Sequence, residues 1–200
     1  MGLDITVLAL DWTELERTPR AERRNLLYEA ACPEDLPWDA RSEVGWTIPA
    51  SPRVPWSGRY EFRDTLGSYK PHFWAAERWD TVREFAGPAP RRALDGFLGH
   101  LIWAGEGDDA PDTGLFPSDP EPWRPKLLLA LPPATMPALA AHWARAEPLL
   151  GGLRETYDAR AARPGGWIAD FDEFAALLRQ WADVVAETSR RGWGLLGLPV

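Results

Sequence analysis

The densest group of side chains that could do chemistry lies between residues 63 and 72. It holds two cations, a phenol and a titratable imidazole, supplied by Arg63, Lys70, Tyr69 and His72. Pro71 is expected to start a helix here, so free backbone N–H groups at the helix N-terminus would point back at these side chains. Such a set suits the binding of a small anion, and His72 is the candidate catalytic acid or base.

A purely structural interpretation of the same segment stays open. Arg63 and Lys70 could pair with the neighbouring carboxylates of Glu61 and Asp64. His72 could be a histidine at the edge of the core. Structural ion-pair networks have the same composition as binding sites, so the sequence alone does not separate the two interpretations.

Aromatic residues are abundant, with 12 Trp, 4 Tyr and 7 Phe in 200 residues. Aromatic residues at helical spacing usually belong to a core, so we expect most of these rings there. Trp56 lies just before the cationic segment and ends a stretch rich in proline. We expect Trp56 to join Arg63, Tyr69, Lys70 and His72 as ligand-binding residues of an aromatic-walled pocket near residues 56–74, with the 105–125 loop as its lid.

Familiar cofactor motifs are missing or out of context. The letters GxGxxG occur at 192–197, but a dinucleotide-binding loop needs a preceding strand and a following helix, and only three residues follow. We therefore expect a helix cap and a final strand there, and we predict no cofactor and no metal. A zinc site would need His72, His100 and His142 from three separate helices, because no two histidines are closely spaced.

The net charge, the length of the apolar runs and the cysteine count argue against several classes of function. The formal net charge of −8 argues against nucleic-acid binding, since no long basic cluster offsets it. No apolar run approaches the roughly 18 residues of a membrane span. Residues 3–10 are too short and too acidic for a signal sequence. Cys32 is the single cysteine, is expected in the core beside Ala31, and permits no intramolecular disulfide, so we expect a soluble cytoplasmic protein.

Local patterns indicate which elements must position these residues. Residues 3–10 alternate as a strand with one apolar and one mixed face, and a shorter strand is expected at about 59–65. A further strand is expected at 126–131 or at 193–198, and the latter would be an edge strand beside 3–10. Proline and capping residues indicate helix starts near 19, 71, 90, 135, 148 and 170. We predict an α+β fold, mainly helical, with six or seven helices packed around a small sheet. Residues 1–200 would form a single globular domain with long Pro-rich loops at about 32–58 and 105–125.

Two classes of function fit this sequence. The leading hypothesis is a binding or protein-interaction domain, whose partner is a small-molecule ligand or another protein. The alternative is a hydrolase-like enzyme that acts on a small anionic substrate with His72 as acid or base, or a metal-dependent activity through the three histidines. Oligomeric state is open, because Phe73 is expected to point away from the core into an acidic helix face.

Overall fold

A computed structural model of the chain describes residues 4–32, 44–102, 114–123 and 125–199. Positions 33–43 and 103–113, which make up much of the two predicted Pro-rich loops, lie outside the described residues. The remaining parts of those loops have defined structure, including a segment at 114–123 that packs against the body of the molecule.

The centre of the fold is a five-stranded antiparallel sheet. Its strands are β1 (Ile5–Leu10), β2 (Gly45–Thr47), β3 (Ser57–Glu61), β4 (Leu129–Leu131) and β5 (Gly194–Pro199). Their spatial order is β2-β3-β1-β5-β4, so β1 is central. Val7 lies opposite Tyr60 of β3 and opposite Gly197 of β5. The predicted strand at 193–198 is therefore present, but it is an interior strand flanked by β1 and β4 rather than an edge strand.

Seven α-helices surround this sheet in the described part of the chain. They are α1 (Trp12–Arg17), α2 (Arg20–Ala31), α3 (Lys70–Arg83), α4 (Pro88–Leu101), α5 (Met136–Ala146), α6 (Arg154–Arg160) and α7 (Phe171–Arg191). The longest, α7, begins where the Asp170 side chain accepts a hydrogen bond from the Glu173 backbone N–H, and ends at Gly192 with φ +67°. The predicted α+β fold, mainly helical around a small sheet, is confirmed.

Both faces of the sheet are covered. Ile5, Val7 and Ala9 point toward a large core formed by α3, α4, α5 and α7. Leu8 and Leu10 point the other way, into a second core built from α1, α2 and the 114–123 segment. The mixed face predicted for residues 3–10 is thus a buried face, because alternate apolar residues of β1 and β5 supply both layers.

The GxGxxG letters at 192–197 form a helix end and a strand, as expected. Gly194 lies beneath the Trp12 ring, and a Cβ there would come within 2.2 Å of the ring and 2.9 Å of the Leu131 carbonyl oxygen. Gly197 lies between the side chains of Leu129 and Ile5. Close packing on both sides of β5 therefore accounts for these two glycines.

Candidate functional site

His72 lies in the first turn of α3 and is completely buried. Its Nδ1 accepts a hydrogen bond from the Trp181 indole N–H at 3.0 Å. The rings of Phe62 and Trp181 lie with centroids 4.7 and 5.5 Å from the imidazole, and Tyr69 stacks at 6.0 Å. Burial lowers the pKa of His72 to about 3. The imidazole is therefore neutral near pH 7 and, because Nδ1 accepts, its proton resides on Nε2.

This environment is that of a core histidine. Nε2 finds no hydrogen-bond partner within the described residues, and no part of the side chain is exposed to solvent. A general acid or base must reach the proton that it transfers, directly or through one water. The hydrolase-like alternative with His72 as acid or base gains no support from this geometry.

Tyr69 stacks on His72, but the other predicted ligand-binding residues do not converge on it. Arg63 and Lys70 are exposed, and the described part of the chain contains no ion pair between them and Glu61 or Asp64. The Tyr69 hydroxyl donates to the Ile102 carbonyl at 2.9 Å. The pairing allowed by the structural interpretation is therefore not seen among the described residues.

Trp56 lies on the opposite side of the sheet from His72. It is partly buried against the second core, whereas His72 contacts Phe62 and Trp181 of the first core. The sheet separates the two residues. Trp56 and His72 consequently do not form walls of one pocket near residues 56–74.

The three histidines are also divided. His142 and His100 are neighbours at the α4–α5 contact, where burial, the Arg145 guanidinium and His100 together lower the pKa of His142. His72 is held in the core by Trp181, with its Nδ1 lone pair already used. Within the described residues, no group of three or more His, Cys, Asp or Glu side chains has the arrangement of a metal site.

A different site emerges on the second face of the sheet, where α2 meets Trp123 and residues 125–127. The 114–123 segment, which ends at Trp123, is held against α2 by a buried ion pair between Arg23 and Asp119, whose side chains are 3% and 9% exposed. Arg23 Nη2 donates to Asp119 Oδ1 at 2.8 Å, and hydrogen bonds from Arg23 hold the pKa of Asp119 below its ordinary value. The Arg23 side chain is thus a buried anchor.

Aromatic rings complete this anchor. The Arg23 guanidinium lies 4.6 Å from the Phe116 ring centroid and 5.2 Å from that of Trp123. The two rings stack on one another at 5.8 Å with an interplanar angle of 6°. Cation–π contacts and stacking of this kind restrict both rings. Trp123 is therefore held as a rigid wall next to α2.

Beside this wall is a cavity of about 290 Å³. Most of its lining is apolar or aromatic, and its polar groups are two cations and one phenol. The lining residues are Arg24, Leu27, Tyr28, Trp123, Pro125, Lys126, Leu127 and Leu198. Ligand sites are commonly apolar cavities of about 300–1,000 Å³ with a few convergent polar groups, so this cavity is at the small end of that class.

The electrostatics of the cavity favour an anion. Neither Arg24 nor Lys126 forms an ion pair with a carboxylate within the described ranges. The Arg24 guanidinium lies 5.5 Å from the Tyr28 ring centroid, one helical turn away on α2. Tyr28 is 41% exposed and lines the same cavity. Two cations and a phenol thus offer hydrogen-bond donors at one apolar cavity.

A second depression of about 670 Å³ lies on the other side of Arg24 and Tyr28, where its lining includes Asn25, Arg53 and Cys32. Cys32 is exposed, not a small core residue as expected, because α2 ends there and the side chain falls beyond the buried face of the helix. This depression also contains Glu29, which pairs with Arg53 at 2.6 Å, so the cations without a carboxylate partner are concentrated in the first cavity.

Sequence reasoning missed the cavity residues. The available signals were the i, i+4 spacing of Arg24 and Tyr28 on a predicted helix and a lysine at the start of the apolar run 126–131. These signals are common on solvated helices, so they did not distinguish a site.

Comparison with protein-family models, with curated proteins and with solved structures gives no match for this chain. Among the described residues, no helix combines the length and apolar character needed to cross a bilayer.

Proposed function

We propose that this protein binds a small molecule that has one anionic group and an apolar, preferably aromatic, body. The observation that carries the proposal is the convergence of Arg24 and Lys126, both without an acidic partner in the described residues, on a cavity walled by Tyr28 and Trp123. The activity is non-enzymatic binding, in line with the leading hypothesis from the sequence, at a different location in the chain.

The apolar and the cationic parts of the cavity lining would contact different parts of the ligand. Its apolar body lies between the Tyr28 and Trp123 rings, where the aromatic faces contribute contact area at a low entropic cost. Its carboxylate or phosphate meets the Arg24 guanidinium and the Lys126 ammonium. A volume of about 290 Å³ limits the body to about the size of a single substituted ring.

Isothermal titration calorimetry with phenyl phosphate tests this proposal. Phenyl phosphate supplies both features, whereas phenol lacks the anion and inorganic phosphate lacks the ring. We expect phenyl phosphate to bind more tightly than either fragment. Lys126→Ala should weaken its binding about tenfold, because a hydrogen bond to a charged group contributes about 1.5–3 kcal/mol. Arg24→Ala should have a similar effect.

Arg179→Ala is the matched control, because Arg179 is an exposed cation on α7 that does not line this cavity. Its affinity for phenyl phosphate should equal that of the wild-type protein. If phenyl phosphate does not bind, or binds the Arg24→Ala/Lys126→Ala double variant as tightly as the wild type, the proposal is wrong.

A further inference from the structure

A second basic surface lies far along the chain from the α2 cavity, between α4 and the region where α5 ends. It is an open groove of about 460 Å³ with an apolar floor and a basic rim, called here the α4–α5 groove. The floor is formed by Ala89, Ala93, Pro148 and Leu149, and the rim by Arg92, His142 and Arg145. Every ionisable side chain in this lining is basic, although the protein as a whole is acidic.

The His142 ring on the rim of the groove is held between Gly96 and Arg145. Gly96 of α4 leaves room for the His142 ring, since a Cβ at this position would lie 2.3 Å from His142 Cε1. Arg145 Nη2 lies 3.2 Å from His142 Nδ1, so Nε2 carries the imidazole proton in the neutral ring. Neither Arg92 nor Arg145 is paired with a carboxylate in the described part of the chain. The rim therefore presents donors and uncompensated positive charge.

The opposite chemistry is found on the solvent face of α3. Phe73, Glu77, Asp80 and Glu84 are all exposed, and their spacing of four, three and four residues places them on one stripe of the helix. Trp74 lies beside Phe73 with ring centroids 5.7 Å apart. This set of five residues is called here the α3 ridge. Its aromatic side chains are 40% and 37% exposed, which is a large apolar surface for a helix face in solvent.

The charges of the α3 ridge are only partly compensated, because the Arg83 guanidinium attracts Asp80 and Glu84 without forming a close ion pair with either. Glu77, Asp80 and Glu84 form no ion pair among the residues that the structure describes, and the nearby Arg83 is bound to Asp95 at 2.7 Å. The ridge thus combines two exposed aromatic rings with three carboxylates that form no close ion pair. The groove combines an apolar floor with three basic side chains that are not paired with a carboxylate in the described part of the chain. Each copy of the chain therefore has two surfaces, the ridge and the groove, that are complementary in charge and in apolar character.

We propose that this protein self-associates by seating the α3 ridge of one copy in the α4–α5 groove of a second copy. Phe73 and Trp74 cover the apolar floor, as aromatic anchors do at the centre of protein interfaces. The ridge carboxylates meet Arg92, Arg145 and His142 around them, which fixes the register. None of these residues lines the α2 cavity, so this inference is independent of the proposed ligand.

The two surfaces differ, which sets the form of the assembly. A contact between different patches is heterologous, so each bound copy still offers one free ridge and one free groove. Association therefore continues beyond the dimer unless the rotation between copies closes a ring. Substitutions in either the ridge or the groove should therefore interrupt the association.

Sedimentation velocity on the full chain and on two variants tests this inference. Arg92→Glu/Arg145→Glu reverses the rim charge and leaves the ridge intact. Phe73→Ala/Glu77→Ala removes the anchor and leaves the groove intact. We expect the wild-type protein to associate increasingly with concentration across the micromolar range, and each variant alone to associate at least about tenfold more weakly. Circular dichroism confirms that each variant is folded.

The decisive sample is an equimolar mixture of the two variants. The intact ridge of the first fits the intact groove of the second, so the mixture should form a 1:1 dimer and stop there. Arg17→Glu, at an exposed cation outside both surfaces, should associate like the wild type. A monomeric wild type, wild-type-like association of both variants, or a mixture that stays monomeric would each overturn the proposal.

Discussion

At the scale of single residues, the pair formed by His72 and Trp181 determines how the first core responds to acid. The neutral imidazole satisfies the buried indole N–H of Trp181, and it does so among the rings of Phe62 and Tyr69. Adding a proton would block that acceptor and place a charge in an apolar surrounding. The folded state therefore excludes a proton that the unfolded chain accepts.

We predict that this exclusion makes stability fall below pH 6.5. Because burial lowers the pKa of His72 from 6.5 to about 3, the unfolded state binds the extra proton between these values, and stability rises with pH across this window. Between pH 7 and pH 5 the contribution is about 2 kcal/mol. Urea unfolding should therefore show that the stability advantage of wild type over His72→Gln shrinks by this amount at pH 5, and parallel pH curves for the two proteins would contradict the prediction.

The sequence predicted the position of His72 but not its role. Pro71 locates the start of α3, and the spacing of Ala75, Trp79 and Val82 identifies the buried face of the helix. The imidazole is buried because Trp181 approaches from α7, 109 positions along the chain. Local patterns carry no information about such a partner. From the sequence, His72 could be either a site residue or a core residue. The packing of α7 on α3 favours the core position.

At the scale of elements, the buried pair of Arg23 and Asp119 attaches the 114–123 segment to α2. Both side chains are buried and the Arg23 guanidinium lies over two aromatic rings, so removal of one partner leaves an uncompensated charge in a poorly hydrated place. The stacked pair of Phe116 and Trp123 depends on the same contact. The wall of the α2 cavity thus rests on an ion pair between segments distant in sequence.

We predict that Asp119→Ala lowers the free energy of unfolding by about 3 kcal/mol, because breaking a buried pair strands the remaining charge. The same variant should weaken phenyl phosphate binding, since Trp123 loses its support. Urea denaturation and calorimetry measure the two effects. Arg17→Ala, which removes an ion pair with a 71% exposed arginine, should leave both nearly unchanged. Equal stability of Asp119→Ala and Arg17→Ala would be inconsistent with this assignment.

Strand β5 supplies a second prediction at this scale. Gly194→Ala should lower the free energy of unfolding by about 2 kcal/mol, because the new Cβ would overlap the Trp12 ring and press on the Leu131 carbonyl oxygen. The backbone oxygen cannot move without disturbing the pairing of β4 and β5. Gly152→Ala is the control, since no atom lies within 4 Å of its added Cβ. Thermal or urea unfolding of the two variants should differ clearly, and similar midpoints would contradict the close packing.

Elements with strong local signals were predictable. The alternation of residues 3–10 identified β1, and the Asp170 and Gly192 caps identified both ends of α7. The second helical layer was not predictable from these patterns. Leu8 and Leu10 were assigned to a mixed face, because the alternation around them includes Asp4 and Thr6, and nothing local indicates that α2 covers the sheet there.

At the scale of the whole molecule, the distribution of charge matters more than its sum. The formal net charge is −8, yet the α2 cavity and the α4–α5 groove each present basic groups without acidic partners among the described residues. Carboxylates concentrate elsewhere, including the α3 ridge. The composition argues against a broad basic surface, but a net charge cannot locate two small basic sites. Their positions follow from how α2, α4 and α5 are placed around the sheet.

The most direct test of the account is a crystal structure of the protein soaked with 4-bromophenyl phosphate, with the bromine located by its anomalous scattering. The account predicts one bromine peak between the Tyr28 and Trp123 rings, with the phosphate in contact with Arg24 and Lys126. A peak in the α4–α5 groove with an empty α2 cavity, or no peak under conditions in which calorimetry detects binding, would contradict the proposed site.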